Sequence, residues 1–197
     1  MLEKFRTETA SRSVRGTIRG SILRHVMRHG NFMMTEIAEA TGYSLTTIAK
    51  YVAELRSDGM IAELERVNLH TKGRKAILYG VNPDSYYFLG VDMKTFELNI
   101  ALINFIGEVV RIERHTDFRF ENTHDVLDEL CNRVQRFIDT LEGIDPEKIA
   151  GANLNLSGRV DSCTGTSASV FNFEELHDTP LADFLKEKLG LKIFIEN

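Results

Sequence analysis

The sequence has few cysteines and no long apolar run. Its two cysteines, Cys131 and Cys163, are too few for a disulfide scaffold or a four-thiolate zinc site, so we expect buried or free thiols. No stretch of about 18 apolar residues occurs, and residues 1–16 lack the apolar segment of a secretory signal. Internal repeats and low-complexity tracts are also absent. We therefore expect a cytoplasmic protein without a membrane partner.

Charge is distributed unevenly along the 197 residues. Residues 1–84 carry 13 Lys and Arg against 9 Asp and Glu, a net +4, whereas residues 85–197 carry 11 against 20, a net −9. Hydrophobic residues make up 43% of the chain, which permits a proper core. A basic segment joined to an acidic one is typical of a nucleic-acid-binding module attached to a regulatory or catalytic one, but chance variation in surface charge gives the same pattern.

Residues 35–61 predict two short helices joined by a tight turn, which is a helix-turn-helix. Gly42 supplies the backbone freedom needed after the first helix, and the hydroxyl of Ser44 can cap the second. Apolar residues recur on one face of the second helix: Leu45, Ile48, Ala49, Val52 and Leu55. The residues expected to face outward, towards bases and phosphates, are Thr46, Thr47, Lys50 and Tyr51. The candidate DNA-binding residues of the motif are Thr35, Ser44, Leu45, Thr46, Thr47, Lys50 and Tyr51.

A further helix is predicted before this motif, from about Thr17 to Gly30. It has an apolar stripe formed by Ile18, Ile22, Leu23 and Val26. Arg15 and Arg19 lie near its start, where they either contact DNA or form an ordinary solvated face.

A hairpin is predicted after the motif. The runs IAELERV and AILYGV have the period-two pattern of strands, and NLHTKGRK lies between them. This arrangement is typical of the wing of a winged helix. The candidate DNA contacts at its tip are Lys72, Gly73, Arg74 and Lys75, which suit a phosphate backbone or a minor groove. The alternative is an ordinary solvated hairpin tip.

The second half of the chain predicts an α/β domain. Three strands, FLGVD, LNIALINF and EVVRIER, are expected to form an antiparallel meander. A helix capped by Thr123 follows, then the strand IAGANLNL, a loop SGRVDSCTG, a helix with Thr179 as cap and Pro180 as first residue, and the strand LKIFIEN. Asn82, Pro83 and Asp84 mark the boundary. We expect a poorly ordered arm at 1–14, a winged helix-turn-helix domain at 15–84 and the α/β domain at 85–197.

The order of these motifs resembles the ROK family of bacterial sugar-responsive repressors and sugar kinases. The segments TKGRKAILYGVNP, LGVDM, GEVV, SGRVD and IEN occur in family order. The resemblance implies the first half of an actin-like, ribonuclease H-like sugar-binding domain. The candidate sugar-binding residues that it implies are Ser157, Gly158, Arg159, Glu196 and Asn197. For the first three, an ordinary turn is the alternative. Asn197 matches a family asparagine whose amide can both donate to and accept from sugar hydroxyls.

The sequence departs from the family's kinases where ATP phosphates would bind. In those kinases the first strand runs into a D-x-G-G-T turn, whose bare backbone amides approach the phosphates. Here Asp92 is followed by Met93, Lys94, Thr95, Phe96 and Glu97. Side chains would crowd a phosphate and Glu97 would repel it, so we expect no ATP binding and no enzymatic activity. The family's catalytic aspartate would directly follow Asn197, and we expect the chain to be a fragment or a truncated product.

The resulting hypothesis is a sequence-specific repressor of carbohydrate-metabolism genes that senses a sugar or sugar phosphate. It would bind a double-stranded DNA operator as a homodimer or higher oligomer, because such proteins contact two half-sites. We expect no cofactor within this chain, and His115, His124 and His177 have no metal-ligand spacing. The resemblance allows zinc in the family's second half. The alternatives are an ATP-dependent sugar kinase with an added N-terminal module and a protein-binding adaptor.

Overall fold

The computed structural model describes residues 14–67, 76–119, 124–170 and 179–197, which divide between Ser85 and Tyr86 into two compact units. The N-terminal unit contains α1 (Val14–His29), α2 (Met34–Thr41), α3 (Leu45–Ser57), β1 (Ile61–Val67) and β2 (Ala76–Val81). The C-terminal unit contains β3 (Tyr87–Lys94), β4 (Glu97–Asn104), β5 (Val109–His115), α4 (His124–Asp139), β6 (Ile149–Leu156), β7 (Gly158–Asp161), β8 (Thr166–Val170), α5 (Leu181–Leu189) and β9 (Ile193–Glu196). Within these ranges no helix is long and apolar enough to cross a membrane.

Several predicted features lie outside these ranges. They are the arm up to residue 13, the wing tip with Lys72, Gly73, Arg74 and Lys75, the Thr123 cap, and His177.

The three helices of the N-terminal unit share one apolar core. Its most buried members, each at most 3% exposed, are Ile18, Ile22, Val26, Phe32, Ile37, Ile48, Val52 and Leu55. The apolar stripe predicted for the first helix is confirmed at Ile18, Ile22 and Val26. That helix begins at Val14, three residues earlier than predicted, and ends at His29 before Gly30, whose φ of 79° suits glycine.

The hairpin of the N-terminal unit is joined to the helices by a third extended segment. β1 and β2 pair antiparallel, as predicted, with a bulge between Glu63 and Glu65. Phe32, in the link between α1 and α2, forms an isolated bridge with Tyr79 of β2, in which each N–H donates to the other's carbonyl at 2.8 and 2.9 Å. Their rings stack with centroids 5.7 Å apart. The base of the hairpin is therefore fastened to the helical core.

The C-terminal unit is built on a five-stranded mixed sheet with the order β5-β4-β3-β6-β9. The predicted meander is confirmed, since β3 pairs antiparallel with β4 and β4 with β5, while β6 lies parallel to β3 and β9 parallel to β6. Alternate apolar residues of the strands pack against α4 and α5, and together they form one core with members such as Leu89, Val91, Leu98, Leu127, Val134, Leu154, Leu185 and Ile195. The other strand residues form a second face.

The segment SGRVDSCTG is a hairpin, so its prediction as a loop is wrong. β7 pairs antiparallel with β8. The carboxylate of Asp161 accepts the N–H groups of Cys163 at 2.9 Å and Thr164 at 3.3 Å, which closes the turn. Gly165 follows with φ of 69°, and a Cβ there would lie 2.3 Å from the Cβ of Ala182. These strands are short and polar, and they lack the apolar alternation that marks a strand in sequence.

The start of α5 also differs from its prediction. The helix begins at Leu181, with Pro180 as its cap rather than its first residue. Thr179 lies before the cap and forms a bridge with Ser167 of β8. The difference is one residue, within the usual uncertainty of a helix boundary. The predicted end is confirmed, because Gly190 has φ of 66° and its N–H donates to the carbonyl of Lys186.

Candidate nucleic-acid interface and the open sheet face

The turn between α2 and α3 has the chemistry that the sequence predicts. Gly42 ends α2 with φ of 74°, and its N–H donates to the carbonyl of Ala38 at 2.9 Å. The hydroxyl of Ser44 accepts the N–H of Thr47 at 3.2 Å and lies 2.8 Å from the Thr47 hydroxyl. This cap fixes the direction in which α3 leaves the turn.

The first half of α3 presents polar side chains to solvent. Thr46 and Lys50 are exposed and Thr47 is half-buried, while Thr35 is exposed on α2. The ammonium of Lys50 lies 5.4 Å from the centroid of the Tyr51 ring. Across the described part of the chain, Lys50 forms no ion pair. Its charge is therefore available to an anionic partner.

Two residues of α3 differ from their predicted positions. Tyr51 is only 9% exposed, so the prediction that it faces outward is wrong. It flanks the stripe formed by Ile48, Val52 and Leu55, and its ring is large enough to reach the core. Leu45 is 49% exposed, so its prediction as part of the buried face is also wrong. It is the first residue of α3 and lies beyond the packed layer of the core.

Arg19 joins α1 to the last turns of α3. It is 3% exposed, and its guanidinium donates to Asp58 at 2.7 Å and to Glu54 at 3.5 Å. Both alternatives considered from the sequence, a DNA contact and a solvated face, are therefore wrong for Arg19. The side chain of Arg15 falls outside the described part. The positive charge of Arg19 offsets the charges of these two carboxylates. The buried side chain therefore holds the end of α3 against α1.

In the C-terminal unit, the sheet face opposite α4 and α5 contains an open cavity of about 460 Å³. Asp92 lies in its lining, and its carboxylate accepts from the amide of Asn155 at 2.8 Å and lies 3.3 Å from the ammonium of Lys94. Partial burial alone would raise the pKa of Asp92, but the hydrogen bonds from Asn155 and Lys94 and the charge of Lys94 outweigh it and lower the pKa. Asp92 is therefore a carboxylate at neutral pH.

Two carboxamide groups in the cavity lining have free acceptors. The Oδ1 atoms of Asn99 and Asn153 are buried and have no hydrogen-bond partner among the residues that the structure describes. Arg114 lies in the same lining. A buried acceptor without a donor is costly, so the cavity suits a group that donates hydrogen bonds, such as a hydroxyl.

The candidate sugar-binding residues lie at the ends of β6 and β9. The structure brings two of them together, because the amide of Asn197 donates to the carbonyl of Gly158 at 2.6 Å. Ser157, Arg159 and Glu196 are exposed beside them. One N–H of the Asn197 amide is thus used within the protein, and its second N–H and its oxygen are the groups that can meet a ligand.

Comparison with known proteins agrees with this architecture. A family model described as winged helix-turn-helix DNA-binding matches residues 17–62. The putative xylose repressor of Caldicellulosiruptor sp. (strain Rt8B.4) is 24% identical over 180 residues, covering 89% of this chain and 43% of its own length. The DNA-binding transcriptional repressor Mlc of Escherichia coli K12 is 19% identical over 184 residues, covering 93% of this chain and 45% of its own length. The chain is thus similar to ROK-family repressors.

A solved structure confirms the fold. It is described as a ROK family transcriptional regulator and homologue of the E. coli Mlc protein, and it matches with a TM-score of 0.75 at 22% identity, covering 91% of this chain and 44% of its own. The predicted fold class, a winged helix-turn-helix domain followed by ROK-type actin-like α/β structure, is therefore confirmed. The chain spans less than half the length of the ROK relatives that it matches.

The β3–β4 hairpin contains residues 93–97, where the sequence lacks the D-x-G-G-T pattern. Lys94 pairs with Glu97, so Thr95 and Phe96 form a two-residue connection. Phe96 is 67% exposed, while Met93 is 3% exposed and lies in the core. The charge of Lys94 is directed to Asp92, as described above.

Sequence reasoning from the ROK motifs did not identify Asn99, Asn153 and Arg114 as cavity residues. They belong to three different strands, and only the register of the sheet brings them to one face. The available signal was the period-two position of Asn153 and Asn155, which places both side chains on the face opposite the apolar residues of β6.

Proposed function

We propose that this chain is the DNA-binding part, and a portion of the ligand-sensing part, of a sequence-specific transcriptional repressor. The observation that carries the proposal is the capped first turn of α3, which presents Thr46 and Lys50 to solvent from a winged helix. Its support comes from the relatives, which are named as repressors. The protein would act on a double-stranded DNA operator.

The proposed DNA contacts lie on the motif and on the wing. The first turns of α3 enter the major groove, as recognition helices do. The motif contributes Thr35, Ser44, Leu45, Thr46, Thr47 and Lys50, and the wing tip contributes Lys72, Gly73, Arg74 and Lys75. Tyr51 is not included because its ring is buried. Lysine and arginine at the tip supply affinity for phosphates, and residues of α3 supply discrimination among bases.

The proposed effector is a sugar or sugar phosphate bound by the C-terminal unit. Ser157, Gly158, Arg159, Glu196 and Asn197 are the proposed ligands. Glu196 is aligned with Asn155 across the β6–β9 pair. The amide of Asn155 in turn donates to the carboxylate of Asp92. Carboxylates and amides so placed suit a polyhydroxylated ligand. The protein acts as a homodimer or higher oligomer, and the effector changes operator affinity by preferring one arrangement of the subunits.

The DNA-binding proposal is tested by fluorescence anisotropy with the full chain, at several salt concentrations. Replacing Arg74 and Lys75 with alanine is expected to weaken binding to all duplexes and to lower the salt slope by about 2, one for each lost phosphate contact. The control removes two exposed lysines of the C-terminal unit, Lys186→Ala and Lys192→Ala. Binding without salt dependence, or no binding to any duplex, would contradict the proposal and favour the protein-binding adaptor.

A ROK-type sugar kinase is the second candidate, and Asp92 at the end of β3 favours it. We nevertheless propose that the protein is not an enzyme. Residues 93–96 contain no glycine, Met93 is held in the core, and Lys94 is paired with Asp92. Thermal denaturation with and without Mg·ATP and candidate sugars separates the two, because a ligand bound only by the folded state raises the melting temperature. Stabilisation by ATP would favour the kinase.

A further inference from the structure

We infer that Leu45 recognises the C5-methyl group of a thymine in each operator half-site. The inference rests on the proposed DNA-binding function and deepens it by naming the base. No other base carries an apolar group on its major-groove edge, so the thymine methyl is the one base group that an aliphatic side chain can contact favourably there.

The position of Leu45 supports this role. It is the first residue of α3, directly after the Ser44 cap, and 49% of its surface is exposed. Leu55 in the last turns of the same helix is fully buried. The exposure of Leu45 therefore comes from its position at the start of α3. The first turn of a recognition helix is the part that contacts base edges.

The neighbours of Leu45 divide the recognition task among them. Thr46 is exposed at the next position and Lys50 one turn later, and both can hydrogen-bond to DNA. Leu45 has no hydrogen-bonding group. It adds affinity only where its side chain meets another apolar group, which is the condition for discriminating thymine from cytosine or uracil.

Leu45 is also distinguished from the other exposed apolar residues of the N-terminal unit. In the described part of that unit, the large apolar residues that are at least 40% exposed are Met27, Leu45 and Leu64. Met27 lies on α1, and Leu64 lies at the bulge of β1, where its side chain approaches Gly80. Leu45 is the member of this group that lies on α3.

The test removes single methyl groups from DNA. Duplexes are selected from a random pool with the full chain, and each thymine of the selected sequence is replaced in turn by deoxyuridine, which lacks only the methyl group. At one position per half-site, the change is expected to weaken binding about fourfold, the factor that corresponds to burying one carbon. The Leu45→Ala variant should bind the thymine and uracil duplexes equally.

Two results would overturn the inference, and a third would overturn the proposed function on which it rests. A thymine preference that persists in Leu45→Ala assigns the contact to another residue, and equal binding of all uracil duplexes by the unchanged protein excludes a methyl contact. Failure to enrich any sequence would overturn the proposed function itself, which distinguishes the two claims. The control variant Met27→Ala, also an exposed apolar truncation, should keep the thymine preference. Far-UV circular dichroism verifies that both variants are folded.

Discussion

Leu45 and Leu55 occupy opposite ends of α3 and have opposite surroundings. Leu55 is fully buried between the helices, whereas Leu45 is 49% exposed at the start of the helix. The last turns are held by Arg19 through Glu54 and Asp58, whereas at the first turn the hydroxyl of Ser44 accepts the N–H of Thr47. One helix thus has a structural end and an end that is free to meet a partner.

The largest expected effect compares the two leucines directly. Leu55→Ala should lower the free energy of unfolding by about 2.7–5 kcal/mol, because it leaves a cavity in a packed core. Leu45→Ala should change it by no more than about 0.5 kcal/mol, as a surface substitution does. Urea denaturation followed by the helical circular dichroism signal measures both. Equal destabilisation by the two variants would refute the division of α3.

The second prediction concerns the anchor of the structural end. Arg19→Met should cost about 2–3 kcal/mol, because it removes the guanidinium whose charge offsets those of Glu54 and Asp58. The value is below that of a fully buried pair, since the two carboxylate side chains are 27% and 26% exposed.

The matched control for Arg19 is Arg24→Met on the exposed side of the same helix, expected to cost at most about 0.5 kcal/mol. Adding Asp58→Asn to Arg19→Met should recover part of the loss in the same urea titration. If the two arginine variants are equally stable, Arg19 is not an anchor.

A smaller effect is expected at the free end. Ser44→Ala should destabilise the protein by about 1 kcal/mol, because the N–H of Thr47 loses its acceptor. Ser44→Gly should cost only a few tenths of a kcal/mol, since glycine is itself tolerated at this position. Thermal unfolding of both variants measures the difference. A glycine variant as unstable as the alanine variant would argue against the cap.

The smallest expected effect concerns the carboxylate of Asp92 in the C-terminal unit, which accepts a hydrogen bond from Asn155. Because the pKa of Asp92 is lowered in the folded protein, its contribution to stability is present above the unfolded-state pKa of about 3.9 and is lost as the pH falls through the folded value. Asn155→Ala should move this pKa upward, as followed by NMR titration of the carboxyl carbon. An unchanged midpoint would show that the Asn155 hydrogen bond does not determine it.

The elements that the sequence predicted well are those with a clear apolar period. The strands β3 and β4 alternate between a buried and an open face, and α4 has a continuous apolar stripe, so local pattern was sufficient. The β7–β8 hairpin was missed because its short strands are polar. Its stability depends on the Asp161 turn and on the approach of Gly165 to Ala182, which are contacts between separate segments.

The candidate site shows the same limit. Periodicity identified the inner face of α3 but not the point where the core ends, which depends on how far α1 and α2 extend beside it. Leu45 was therefore predicted to be buried but is exposed, and Tyr51 was predicted to be exposed but is buried. Likewise, Asn99 and Arg114 reach the cavity around Asp92 through strand register, which no local pattern specifies.

The bridge between Phe32 and Tyr79 has a consequence for motion within the N-terminal unit. Its two main-chain hydrogen bonds join the α1–α2 link to a strand of the wing, so the base of the wing cannot tilt without opening both. Solvent deuterium should consequently enter these two amides at matching rates, as one cooperative opening. A displacement of β2 at Tyr79 would then be transmitted to the α1–α2 link through these two hydrogen bonds.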